Sequence, residues 1–205
     1  MSIDLAKRLM PVPSRGSSNK REALIQAARR SFGRIGYHAT ATNDLVAAVS
    51  ATRGMLYHHF ADKQALFEVV AREIAEELSR DASNKVLAAP GSTWHRLTTG
   101  FRTYLGMVAS SVEAQRILLI DGPSVMGWTE WRALQSEIVF PGIVYTLNLL
   151  MDEGDMPRRI PEPLAHLTLA ALNDAALAIA HAKDSARVHE EMCDALMVLL
   201  EGLSR

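Results

Sequence analysis

The chain has 205 residues, 48% of them hydrophobic and 22% charged, with a net charge of -1; this is enough for one domain or two small ones with a real core, in an ordinary globular composition. Cys193 is the only cysteine, which excludes an intrachain disulfide and fits a reducing cytoplasm; the N-terminus has no apolar signal region and no run of about 18 uninterrupted apolar residues occurs, so neither secretion nor a membrane span is expected. The near-zero charge conceals a split: residues 1–63 carry 10 Lys/Arg against 4 Asp/Glu, and residues 64–205 carry 12 against 19, which suggests a polyanion-binding head on an acidic body.

Residues 1–19, with "PVPSRGSSN" at 11–19, read as a loose basic arm. Its Lys7, Arg8 and Arg15 either lie along a DNA groove or backbone or have no role. From Lys20 the apolar residues Leu24, Ala27, Ala28, Phe32 and Ile35 recur at helical steps, and Gly36 closes that helix. A short helix is predicted over Thr42–Val49 and another over Arg53–His59, joined by the tight turn Ser50-Ala51-Thr52. Asp62 reads as the N-cap of a fourth helix carrying Leu66, Phe67, Val70, Ile74 and Leu78. After Pro90-Gly91, helix is predicted over 93–119, a loop over 121–127, one long helix over 129–153, a connector from Glu153 to Pro163, and two last helices near 162–183 and 185–203. No period-two alternation or long repeat appears. The expected architecture is all-α: a three-helix head over residues 20–66 and a six-helix body over 67–205.

Short helix, tight turn, short helix is the helix-turn-helix arrangement, which offers its second helix to the DNA major groove. The stretch "TRGMLYHHFADK", 52–63, supplies residues for that task. Arg53 suits guanine edges or phosphate, and Thr52 caps the helix and leaves N–H groups toward phosphate. Gly54 lets the backbone approach closely. Tyr57 and His58 add donors, Met55 sits on the reading face, Thr42 starts the preceding helix, and Lys63 is placed to hold flanking backbone. Leu56 and Phe60 are expected to point inward.

Residues 23–67, through "AARRSF…GY", "DLVAAV" and "RGMLYHHFADKQALF", resemble the DNA-binding domain of the tetracycline-repressor (TetR) family of transcriptional regulators. "LLIDGPSVMGWTEWRALQSE", 118–137, and "EPLAHLTLAALNDAALAIAHA", 162–182, resemble parts of one C-terminal subtype of that family. The resemblance implies a homodimer that sets two recognition helices in successive major grooves of a double-stranded operator, about 34–36 Å apart. It also implies a C-terminal domain that dimerises and binds an unidentified small-molecule effector, whose binding moves the fourth helix and spreads the heads. Four positions depart from the family pattern: Ser50 for a turn Gly, Ala51 for Val, Ala41 for a capping Thr whose place Thr40 or Thr42 takes, and Met55 for a small polar residue.

Phe101, Tyr104, Asp121, Trp128, Trp131 and Asn173 are the candidate ligand-binding residues of the body, although aromatic and Met side chains there also serve as core. The last two helices, about 162–203, are apolar on more than one side, which calls for cover and predicts the dimer interface. No metal site is expected. His58 and His59 point about 100° apart, and the pair His189 and Cys193 at i, i+4 is not a site by itself. No phosphate loop or nucleophile elbow is present, so no enzyme and no cofactor are expected. The reading is a dimeric, cytoplasmic, ligand-released repressor. Its rival is a helical ligand-binding or interaction protein with a degenerate head.

Overall fold

The computed structural model describes residues 15–202, and among them there is no strand. The helices run α1 Arg15–Ile35, α2 Thr42–Ala48, α3 Arg53–His59, α4 Lys63–Ala88, α5 Thr93–Ser110 and α6 Val112–Ala114. A π-helical segment, Gln115–Asp121, follows, and then α7 Gly122–Met126, α8 Trp128–Ile138, α9 Phe140–Glu153, α10 Pro161–His181 and α11 Ser185–Gly202. Residues 1–14 of the expected basic arm lie outside the described residues. The rest of that arm, from Arg15, is already helix α1 rather than loose chain.

Helices α1, α2, α3 and the first turns of α4 enclose Leu24, Phe32, Leu45, Leu56, Phe60 and Phe67. Phe32 and Phe67 meet edge to face at 5.4 Å, and Tyr37 closes the set at 5.3 Å from Phe67. Edge contacts of this kind suit the ring quadrupole. Helix α4 spans the expected division between residues 66 and 67. It runs on with Val70, Ala71, Ile74 and Leu78 buried, so one rod is packed into both head and body. Arg29 of α1 ties the two further. It donates to both carboxylate oxygens of Glu77 at 2.7 and 2.8 Å and to Glu113 at 2.9 Å. That bidentate bond holds the Glu77 carboxyl below its usual range.

Two elements of the body differ from expectation. The stretch 121–127 is helical except at Gly127, where φ is +80°. Gly122 reads as a breaker in the sequence, but it is buried in a helix because a Cβ there would sit 2.9 Å from Trp131 Cδ1 and 3.0 Å from the Ile117 carbonyl. The helix expected over 129–153 is two helices, α8 and α9, bent by 50°. Pro141, in the first turn of α9, has no N–H to continue the ladder of α8. Among the described residues, α4 is followed by seven α-helices, α5–α11, and a π segment, where a six-helix body is expected. α10 is the one described helix long and apolar enough by itself to cross a bilayer, and the bent α8–α9 pair passes the same test jointly. α10 packs on α5, α9 and α11, as a core helix does.

The turn between α2 and α3 forces Ser50 to φ +49°, the only positive φ of a non-glycine residue among those described. A left-handed L-residue costs about 1–2 kcal/mol. Ser50→Gly is therefore expected to stabilise the chain by about 0.5–1 kcal/mol, net of its extra unfolded-state entropy. Urea unfolding of the two proteins checks this, and a lowered midpoint would contradict it.

Candidate nucleic-acid interface

α3 is fixed from both ends by local chemistry. At its start the Thr52 hydroxyl accepts the Met55 N–H at 3.2 Å. At its end the Phe60 N–H donates to the Leu56 carbonyl at 2.9 Å, and both side chains are buried. Asp62 then caps α4 by accepting the Ala65 N–H at 2.7 Å. α2 has no such cap: Ala41 offers no side-chain acceptor, and neither neighbouring threonine replaces it. Thr40 is turned inward and donates to the Gly36 carbonyl at 2.8 Å.

With Leu56 and Phe60 pinned inside, Arg53, Gly54, Tyr57 and His58 face solvent together, beside an exposed Thr52. Met55 is half-buried between the two sides. The Arg53 guanidinium lies 5.9 Å from the Tyr57 ring centre. It holds the Tyr57 phenol below its ordinary pKa, with the Thr42 hydroxyl acting in the same direction, so α2 and α3 converge on this phenol. Tyr57 stays 44% exposed, high for a large aromatic on a packed domain.

Lys63 is placed differently from its expected role. Its ammonium donates to the Tyr37 carbonyl at 2.9 Å and the Thr40 carbonyl at 3.0 Å, and it lies 4.1 Å from the Tyr37 ring centre. It braces the α1–α2 corner instead of standing free beside α3. Two basic residues singled out by no motif also serve the head. Lys20 donates to the Val49 carbonyl at the end of α2, and Arg21 stacks over Phe60. Only their position one turn before the apolar stripe of α1 hints at this.

The candidate ligand residues separate. Tyr104 and Trp131 line one cavity of about 10 Å³ with Leu118 and Gln135, room for no more than about one water. Asn173 lies behind it, donating to Gln135 Oε1 at 2.8 Å and accepting from Gln135 at 3.4 Å and from Tyr104 at 3.5 Å. Burial pushes the Tyr104 phenol up to about 12. Phe101 is buried core outside that cavity. Trp128 is 64% exposed, between Trp131 at 5.2 Å and Arg132 at 5.6 Å. Asp121 points away from the body: its Oδ2 accepts the Tyr37 N–H at 2.8 Å. Among the described residues no three His, Cys, Asp or Glu side chains converge as metal ligands.

The profile described as "Bacterial regulatory proteins, tetR family" matches residues 24–70, which are the head just described. "Tetracyclin repressor-like, C-terminal domain" matches residues 94–203, more than half of the chain. The chain belongs to the TetR family. It is similar to the HTH-type transcriptional repressor AcnR of Corynebacterium diphtheriae, at 38% identity over 172 residues, covering 80% of this chain and 83% of that one. AcnR of Corynebacterium efficiens is 26% identical over 156 residues, covering 76% and 79%. The crystal structure of a TetR-family transcriptional regulator from Pectobacterium atrosepticum superposes with a TM-score of 0.79 at 32% identity, covering 93% and 97%. This TetR-family chain is thus a DNA-binding transcriptional regulator of the repressor kind, with its helix-turn-helix in α2 and α3.

In this TetR-family head Lys63→Met leaves the Thr40 carbonyl without its donor and the Tyr37 carbonyl with only the Thr40 N–H, at 3.2 Å. Each unsatisfied group costs about 1–3 kcal/mol, so the variant is expected to lose stability on that order in denaturant melts. No loss of stability would return Lys63 to a purely phosphate-facing role.

Proposed function

We propose that α3 is the base-reading helix of a dimeric repressor that binds a palindromic operator and leaves it when a small molecule occupies the body. The observation that carries this reading is the outward face of α3. Arg53, Gly54, Tyr57 and His58 are exposed together while the opposite face is locked into the core. Gly54 supports it: a Cβ there would meet only the Thr52 hydroxyl, at 3.9 Å, so internal packing does not require a glycine. A close external backbone does. Arg53 serves guanine or phosphate, Tyr57, His58 and Thr52 serve phosphate, and Met55 and Thr42 border the contact.

The dimer reading is supported by α10 and α11. Leu167, Val198 and Leu199 are 70%, 69% and 63% exposed, and Ala195, Val198, Leu199 and Gly202 form one helical stripe. Small and apolar residues on an open face suit close packing against a second copy. The effector reading is supported by the uncharged polar cluster of Tyr104, Gln135 and Asn173 beside a small, mostly apolar cavity that would have to widen to admit a ligand. Such a protein works in the cytoplasm, where the operator is.

A duplex selected from random DNA is expected to bind far more tightly than an unrelated duplex, with log affinity falling linearly against log salt. Arg53→Ala is expected to lose about 1–3 kcal/mol of that preference while its melting temperature stays unchanged. Equal, weak binding to every sequence would replace the repressor reading with that of a ligand-binding protein whose head is degenerate.

A further inference from the structure

We propose that the π-helical segment Gln115–Asp121 is a positioning element for operator recognition: Arg116 and Asp121 hold the α1–α2 corner from the body, and Trp131 holds them in register. The claim rests on reading α3 as the base-contacting helix, because the corner sets where α2 and α3 lie.

The register argument is geometric. Arg116 and Asp121 are five residues apart. In an α-helix, side chains at i and i+5 point about 140° apart. In a π-helix the bonds run from i to i+5, so those two positions stack on one face. Both side chains do reach the head. Arg116 Nη1 donates to the Arg34 carbonyl in the last turn of α1 at 3.0 Å. Asp121 accepts the Tyr37 N–H just beyond Gly36 at 2.8 Å. Returning the segment to α register turns one of them away. The corner then loses either its carbonyl partner or its amide partner.

The register is held from the opposite side of the segment. Ile117, Leu118 and Leu119 are buried. The Trp131 indole N–H donates to the Leu118 carbonyl at 2.7 Å, in the buried interior. Wide turns that leave the regular ladder take external partners of this kind. Gly122, at the end of the segment, is what allows the indole to lie so close. Trp131 and Leu118 also line the small body cavity. A molecule entering that cavity has to move the indole, and the Leu118 carbonyl then loses its donor. One hydrogen bond thereby connects the state of the cavity to the partner of the Tyr37 amide.

The test follows the Tyr37 amide by hydrogen exchange in the full-length protein, alongside affinity for a selected and an unrelated duplex. Trp131→Phe keeps a ring and removes the N–H. It is expected to speed Tyr37 exchange and weaken selected-duplex binding on the order of tenfold, a common size for coupling between sites, with unrelated-duplex binding unchanged. Asp121→Ala should do the same, while Asp121→Asn, which keeps an acceptor, restores both. Trp131→Phe combined with Asp121→Ala should be no worse than Asp121→Ala alone. Unchanged Tyr37 exchange in folded Trp131→Phe, or additive effects in the double variant, overturns the proposal. If Trp131→Phe does not fold, the reciprocal measurement decides: Asp121→Ala must alter Trp131 emission in a Trp94→Phe, Trp128→Phe background, and an unaltered spectrum refutes the coupling. Loss of sequence preference in the unsubstituted protein would overturn only the reading of α3, because exchange at Tyr37 is measured without DNA.

Discussion

The backbone at the α1–α2 corner satisfies itself only in part, and the arrangement of the head depends on how the rest is satisfied. Between Arg34 and Thr40 the chain leaves a helix, turns at Gly36 with φ +88°, and presents carbonyls and an amide that no ladder covers. Each finds a partner. Thr40 serves the Gly36 carbonyl, Lys63 serves those of Tyr37 and Thr40, Arg116 serves that of Arg34, and Asp121 receives the Tyr37 amide. Buried or half-buried backbone groups left unpaired are costly, so these bonds specify one path for the corner. That path carries α2 and α3 into their positions. Two of the partners belong to the body, so the positions of α2 and α3 depend on the whole chain.

α4 supplies the second half of this dependence. Its first turns close the aromatic cluster of the head and its later turns are buried in the body. Arg29, held by Glu77 and Glu113, locks α1 to the same rod. Head, α4 and body are thus joined by packed side chains and charge-assisted bonds, both of which resist gradual deformation.

The parts legible in the sequence were those set by local chemistry. Thr52 and Asp62 are caps because a hydroxyl or carboxylate three residues before a free N–H has a local partner. The limits of α3, the inward Leu56 and Phe60 and the outward Arg53 and Tyr57 follow from helical period alone. The strained Ser50 is legible only through the family resemblance, as a serine where that pattern has a turn glycine. What escaped depends on distant partners. Lys63 looked like a phosphate ligand because nothing local reveals two carbonyls 23 and 26 residues away. Asp121 does border a pocket, but with Tyr37 and Arg116 beside the head rather than in the body, because the amide it accepts lies 84 residues away in sequence. "DGPSVMG" looked like a loop since glycine and proline usually break helices. Here Pro123 opens α7 and Gly122 makes room for an indole. The break between α8 and α9 was hidden by the continuous apolar pattern on both sides of Pro141.

The most direct test of the account is chemical footprinting of the protein on a duplex selected for tight binding. If α3 enters the major groove twice per particle, backbone cleavage should be blocked in two windows about 10 base pairs apart, centre to centre. Methylation of guanine N7 inside those windows should abolish binding. A single protected window, or binding indifferent to modification of the major-groove edge, would contradict the assignment of α3 as the reading helix.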